Sequence, residues 1–575
     1  MPLHGVQASR QWEQAAASTL PPHTLMQRAG LAIARVALAV APHSQCIWIA
    51  CGPGNNGGDG LQAAAWLQRW GKQVRVSTLA PQTAMPADAQ AAWQTAVEAG
   101  VCWVDEPPAL QADDLCIDAL LGLGTSRPAD AAMQRWITAM RHSPAQILAV
   151  DVPSGLLADT GAWAGNVPGV VADHTITLLT LKPGLFSAQG RDAAGQVWWH
   201  DLDVSATTSE TAPAADAWLQ GTVIDSSPAA TVFSARPTYP SAEHITSFPI
   251  STAPHSYLPH ASHKGHFGDV CIIGGDAGMQ GAAILAGEAA LYAGAGRVYV
   301  GLLQANTSVA HDAGLMLRPL PADISTSDSD LSAALPYQQA ITVCGCGGGT
   351  AIARWLPTVL QQAPKLLLDA DALNAIAVSP TLQALLRQRA RQGACTILTP
   401  HPLEAARLLQ SSTTAIQNDR LKAAQDLADA FQCIVVLKGS GSVCALPAHL
   451  LPGDAPTAPA INYSGNALLA TAGTGDVLAG CISAYWAQAH AHLSPSTPEG
   501  AWLAAWRACC AAVHAHGHVA DTWNACTMRG SISGALDNTG GLQSISLPQP
   551  FSAHTLACSL CRPSSGIWQQ LMSHT

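Results

Sequence analysis

A chain of 575 residues, 48% of them hydrophobic, has the material for more than one core, which excludes wholesale disorder. Only 11% of residues are charged, the formal net charge is −11, and 21 arginines stand against 6 lysines, which excludes a chain-wide basic footprint for nucleic acid. The opening MPLHGVQASRQWEQ has no basic start followed by an apolar core, and Arg35 and Asp476 interrupt the most apolar runs. Cys558 and Cys561 are a single pair among sixteen cysteines, short of a zinc framework, so a cytoplasmic protein with reduced thiols is the expectation.

In chain order, short apolar strands are expected at QCIWIAC, VRVSTLA, DLCIDALLG, AQILAVDV and HTITLLT, with helical text such as LQAAAWLQRWG between them. This alternation predicts a doubly wound parallel sheet. From about Ser205 to Ala261 the composition shifts to Ser, Thr, Ala and Pro, as in a connection with room for one or two edge strands. Strands resume at DVCIIGG, RVYVGLL, AITVCGCG, KLLLDADA, CTILTP and CIVVLKGSG, with helices at QGAAILAGEAALYAGAG and GDVLAGCISAYWAQAHAH. After about Asp521 the pattern weakens and no element is predicted. Two α/β domains are expected, over 1–222 and 223–575.

The first expected strand runs into Gly52-Pro53-Gly54-Asn55-Asn56-Gly57-Gly58-Asp59-Gly60. Gly52, Gly54 and Gly57 fit G-x-G-x-x-G between strand and helix, but the ribose-gripping acid about 20 residues on is missing. Asn55, Asn56 and Asp59 instead add amides and a carboxylate beside a helix start, where phosphate binds and where oxygens suit a hard cation. A plain glycine turn is the alternative. Asp118, Asp151 and Ser154 end two further strands and can meet in one crevice. Asp151 before Pro153-Ser154-Gly155 also reads as a strand-ending turn, and Ser154 lacks the nucleophile-elbow context.

With LMQRAG at Leu25–Gly30, DALLGLG, DVPSGLLADTG and LKPG at Leu181–Gly184, this text resembles the NAD(P)H-hydrate epimerase family over about residues 10–204. The resemblance implies a Rossmann-like fold that epimerises hydrated NADH and NADPH (NADHX and NADPHX) with a potassium ion. It implies substrate binding by Asn55, Asn56, Gly57, Gly58 and Asp59. A second substrate loop would comprise Gly122, Leu123, Gly124, Thr125, Ser126, Arg127 and Pro128, although GLGTSRPAD departs from the commoner text. Potassium would sit on Asn56, Asp118 and Ser154, and Asp151 would contact the reacting end and transfer the proton.

In the second half, Gly473-Thr474-Gly475-Asp476 opens an apolar helix. Such a turn makes an anion hole, and an Asp there can act as base toward an attacking hydroxyl; helix capping is the plain alternative. Lys438-Gly439-Ser440-Gly441-Ser442 ends a strand without the P-loop spacing. Thr399-Pro400-His401-Pro402-x-Glu404 ends another. Asp369 and Asp371 end a third, able to hold Mg²⁺ through water or, at Asp371, to cap a helix.

These segments, with HKGHFGDVCIIGG and TPHPLEAARLL, resemble the ribokinase-like NAD(P)H-hydrate dehydratase family from about His263 to Gly517. The order of the two halves is similar to that of bifunctional NAD(P)H-hydrate repair enzymes. The resemblance implies ADP-dependent dehydration of the S epimer to NAD(P)H, with AMP and phosphate released and Mg²⁺ present. Ala282, Gly347, His401 and Asp476 would line the hydrate site; Lys438, Gly439, Ser440, Gly441, Ser442 and Gly475 would bind the adenine nucleotide. Cys346 stands where the family has proline and Gly348 where an apolar residue is usual, which predicts a looser loop. Among the scarce lysines, Lys438 is expected along the phosphates, with Lys264 second. Partners are expected to be small molecules, NADHX, NADPHX and ADP, without nucleic acid or membrane; a homo-oligomer is compatible with the sequence. The competing reading is a kinase of small molecules or vitamin precursors fused to a noncatalytic nucleotide-binding domain.

Overall fold

The computed structural model describes residues 1–79, 81–204, 217–220, 233–234, 263–304, 309–320, 331, 334–450, 458–493, 497–530 and 551–560. Most of the expected connection from Ser205 to Ala261, and Cys561, lie outside the described residues. The chain divides into two compact units, Met1–Phe248 and Pro249–Thr575.

In the first unit, β1 (Pro2–Leu3) pairs with β9 (Ala217–Gln220). The main sheet holds β2 (Ile47–Cys51), β3 (Val74–Thr78), β4 (Cys102–Trp103), β5 (Leu115–Ala119), β6 (Gln146–Val150), β7 (His174–Leu178), β8 (Gln196–His200) and β10 (Phe233–Ser234). Their order is β10-β8-β7-β6-β5-β2-β3-β4, parallel except for β10. Side chains alternate across a strand. Ile47, Ile49 and Cys51 therefore join one core, with the helices Thr24–Val40, Asn55–Arg69 and Ala87–Glu98. Trp48 and Ala50 join the opposite core, with Trp136, Ile137 and Met140 of the helix Ala131–His142.

The second unit repeats the logic with β11 (Asp269–Gly274), β12 (Arg297–Leu302), β13 (Met316–Pro319), β14 (Ile341–Cys344), β15 (Lys365–Leu368), β16 (Cys395–Leu398), β17 (Ile434–Leu437), β18 (Val443–Ala445) and β19 (Ala460–Asn462). They run in the order β19-β18-β17-β16-β15-β14-β11-β12-β13, antiparallel only at β17/β18 and β18/β19. Val270 and Ile272 face a core with the helices Gln280–Tyr292 and Thr474–Leu493, while Cys271 and Ile273 face the other.

Each strand expected from the sequence is present. The structure adds β1, β4, β8, β13, β18 and β19, whose text carries little alternation. It also extends a helix from Pro498 to Gly530 and places another at Ala553–Ser559, where none was expected. Among the described residues no helix is long and apolar enough to cross a membrane.

Candidate active sites

In open α/β sheets ligands bind beyond the carboxyl ends of the strands where the strand order reverses. In the first unit that point lies between β2 and β5, since successive strands fan out in opposite directions from them. The Gly52–Gly60 loop follows β2 and opens the helix Asn55–Arg69. A Cβ at Gly57 would lie 2.0 Å from the Gly52 carbonyl oxygen, so only glycine closes this turn. Asn56 packs on Gly122: a Cβ there would meet its Oδ1 at 2.7 Å, while its buried Nδ2 has no hydrogen-bond partner among the described residues. The two expected substrate loops therefore meet.

Asp118 at the end of β5 is fully buried. Its Oδ1 accepts from Ser154 Oγ at 2.6 Å and Leu120 N at 3.2 Å, and its Oδ2 from Ser154 N at 2.8 Å. Ser154 Oγ also accepts from Leu121 N at 2.8 Å. Burial pushes the Asp118 carboxyl up to about 6, against those hydrogen bonds. Among the described residues no basic side chain bonds to it.

Asp151 follows β6 with φ 65°, an uncommon conformation outside glycine. Its Oδ1 is held by Lys182 Nζ at 2.5 Å, and its Oδ2 accepts from Leu123 N, in the expected substrate loop, at 3.2 Å. Lys182 is 2% exposed and also donates to Leu178 O at 2.7 Å and Thr177 Oγ1 at 3.1 Å. Burial, then Asp151 and Glu13, push the Asp59 carboxyl well above the carboxylate range. Thr125 closes the Gly122 turn, whereas Gly124, Ser126, Arg127 and Pro128 are exposed along its rim, as is Asn55 across from it on the helix start.

In the second unit the reversal lies between β11 and β14. The loop after β14 is pinned by Gly275 N to Cys346 O at 3.0 Å, Asp276 N to Gly347 O at 2.7 Å and Gly349 N to Asp371 Oδ2 at 2.8 Å. A Cβ on Gly347 would lie 2.8 Å from Ala282 Cβ, so these two expected hydrate-site residues adjoin. Asp476 stands in the first turn of the helix Thr474–Leu493, after Gly473 at φ 90°. The ligand atoms of Asp476, Asp369 and Cys346 lie within 4.8 Å of one another. Burial, then Asp369, push the Asp476 carboxyl up to about 6, opposed by a hydrogen bond from the Cys346 thiol.

Lys438 Nζ donates to Asp369 Oδ1 at 2.6 Å and would lie 3.4 Å from a Cβ on Gly475. Burial works to lower its ammonium, but Asp369 and Glu404 hold it above its ordinary value. Gly439 and Gly441 turn the following loop with positive φ, Ser442 Oγ donates to Gly439 O at 3.2 Å, and Ser440 is exposed. His401 caps the helix Pro402–Leu408: its Nδ1 accepts from Leu403 N and Glu404 N, and Glu404 Oε2 accepts from His401 N. Burial and Lys438 lower its imidazole, and burial pushes Glu404 up to about 7. Lys264 is exposed.

Three residues escaped the sequence reading. Lys182 was seen only within LKPG, though the scarcity of lysine was the signal for it. Arg420, 1% exposed, donates to the carbonyls of Leu437 at 3.1 Å and Lys438 at 3.2 Å and braces the nucleotide loop. Cys346 was read as a lost proline, not as a thiol on Asp476.

Fold and sites together define a two-domain α/β enzyme with a separate polar crevice in each domain. Residues 22–184 match the family model described as YjeF-related protein N-terminus, and residues 270–537 match that described as NAD(P)H-hydrate dehydratase. The chain is 35% identical to the bifunctional NAD(P)H-hydrate repair enzyme Nnr of Escherichia coli (strain K12), over 87% of this chain and 85% of that protein. It is 33% identical to the Vibrio cholerae protein of the same name, over 88% of this chain and 92% of that one. Among solved structures, the ADP/ATP-dependent NAD(P)H-hydrate dehydratase from Bacillus subtilis, co-crystallised with ATP/Mg²⁺, is 23% identical, covering 55% of this chain and 92% of its own with a TM-score of 0.33. The chain belongs to the family of bifunctional NAD(P)H-hydrate repair enzymes. Its first domain is Rossmann-like and its second ribokinase-like, and the competing kinase reading gains no support from these relatives.

Proposed function

We propose that the first domain interconverts the R and S epimers of NADHX and NADPHX, and that the second dehydrates the S form with ADP, releasing NAD(P)H, AMP and phosphate. The observation that carries this reading is Asp476: a carboxyl pushed up to about 6, on a glycine turn at a helix start, with Lys438 beside it. Such a group accepts the proton of the hydrate hydroxyl as that oxygen attacks the terminal phosphoryl group of ADP. Lys438 and the backbone N–H groups of the turn stabilise the developing charge. Phosphate then leaves far more readily than hydroxide, and its loss restores the ring double bond. Ala282, Gly347 and His401 would border the hydrate, and Lys438, Gly439, Ser440, Gly441, Ser442 and Gly475 the nucleotide. The carboxylates of Asp369 and Asp371 are hard donors that fit Mg²⁺, which supplies charge neutralisation on the phosphates.

In the first domain, Lys182 fixes Asp151 Oδ1 and leaves the carboxylate turned toward the Leu123 loop, placed to move a proton at the hydrated carbon. Asp59, whose carboxyl burial pushes well above the carboxylate range, is a second candidate for proton transfer in the same crevice. Asn55, Asn56, Gly57 and Gly58, with the loop Gly122, Leu123, Gly124, Thr125, Ser126, Arg127 and Pro128, would hold the substrate. The fully buried Asp118 and the Ser154 hydroxyl bonded to it are oxygen donors that fit K⁺, with Asn56 as a further ligand; a bound K⁺ would supply the positive charge that this buried carboxyl has no basic partner for among the described residues. A cytoplasmic setting, in which the cysteines stay reduced, goes with this reading. The test is incubation with NADHX and ADP while following reduced-nicotinamide absorbance: recovery supports the reading, and no recovery alongside phosphorylation of an alcohol substrate overturns it.

A further inference from the structure

The helix Ala553–Ser559 lies beyond residue 537, where the match to the dehydratase family ends. Ser552 caps it, accepting from Thr555 N at 3.1 Å. Ala553, Leu556, Ala557 and Leu560 bury one face in the core of the second unit. A different face carries His554 and Cys558, one turn apart. Cys558 Sγ lies 3.5 Å from His554 Nε2, and His554 Nδ1 lies 3.1 Å from Glu288 Oε2. Glu288, on the helix Gln280–Tyr292, is 3% exposed, and its Oε1 accepts the backbone N–H of Asp312 at 3.1 Å. Cys558 and His554 are both exposed, so a ligand can reach the sulfur.

A nucleophile within reach of an imidazole, itself oriented by a buried carboxylate, is the arrangement that activates sulfur in covalent chemistry. We propose that Cys558, His554 and Glu288 form a base-assisted thiol that exchanges with low-molecular-weight disulfides and becomes a mixed disulfide. Glu288 accepts from Nδ1–H and so keeps Nε2 as the acceptor. Tyr292, Glu288 and Asp312 are the other titratable groups that face the pair. Burial pushes the thiol up while the Tyr292 hydroxyl opposes it, so the resting sulfur keeps its proton and depends on the base. In the exchange, Cys558 gives that proton to Nε2 and attacks one sulfur of the disulfide. The new S–S bond forms as the old one breaks, and the departing thiolate takes the proton back from His554.

The test uses the full chain at pH 7 with oxidised glutathione, with adducts mapped to individual cysteines by peptide mass spectrometry. Cys102, exposed on β4, is an internal reference. The Cys558 adduct should form at least about tenfold faster than the Cys102 adduct. His554→Gln, at an exposed position, should bring the Cys558 rate close to that of Cys102 and leave Cys102 unchanged. Glu288→Gln should lower it by a smaller factor. A Cys558 rate no greater than that of Cys102, or one unmoved by His554→Gln, overturns the proposal.

Discussion

At the residue scale, the chemistry of both domains rests on carboxyl groups whose neighbours are distant in sequence. Asp151 and Lys182 are 31 positions apart and both nearly buried. Removing one member of a buried pair strands the other, so Lys182→Met should destabilise the fold by about 3 kcal/mol or more, read by denaturant unfolding, and abolish epimerisation. Asp151→Asn should slow epimerisation by roughly 10²- to 10⁴-fold without affecting dehydration of pure S epimer, as separate assays with resolved epimers would show. Asp476 carries opposite consequences for activity and stability. Its folded carboxyl keeps its proton up to about 6, against 3.8 ordinarily, so the folded state binds more protons between those values. The stability tied to the protonated form is present below pH 4 and lost as pH rises through 6. Dehydration, which needs the ionised base, should rise over the same interval. Asp476→Asn should therefore abolish dehydration yet raise stability at pH 8 by about 1–3 kcal/mol, with no gain at pH 4 in thermal melts. Cys346→Ala removes a hydrogen bond that lowers Asp476, so the acid limb of the dehydration profile should move to higher pH.

At the element scale, the glycine turns are the parts that tolerate least. A Cβ at Gly57 would press on a backbone oxygen, so Gly57→Ala should cost about 1–3 kcal/mol and most of the epimerase activity, measured by thermal melting and with R epimer. The central strands were legible because their apolar runs end in glycine, aspartate or proline at the site itself. β1, β4, β8, β13, β18 and β19 were not, because such short strands are held by pairing with their neighbours rather than by their own alternation. The helix Ala553–Ser559 escaped for a related reason: its buried residues Ala553, Leu556 and Ala557 acquire meaning only against the helices that cover them. The motif residues were legible one by one, but pairings such as Lys182 with Asp151 and Arg420 with the Lys438 loop are products of tertiary folding.

At the scale of the whole molecule, two compact units each build a crevice at their own strand reversal. The two activities should therefore separate cleanly, and mixing Asp151→Asn with Asp476→Asn chains should restore conversion of R epimer in trans. The most direct measurement of this account is the recovery of reduced nicotinamide from a mixture of R- and S-NADHX supplied with ADP. The natural chain should convert both epimers at catalysed rates. The Asp151→Asn chain should stop after a burst equal to the S share, and the Asp476→Asn chain should recover none. Full recovery by Asp151→Asn at the rate of the natural chain, or any sustained recovery by Asp476→Asn, would contradict it.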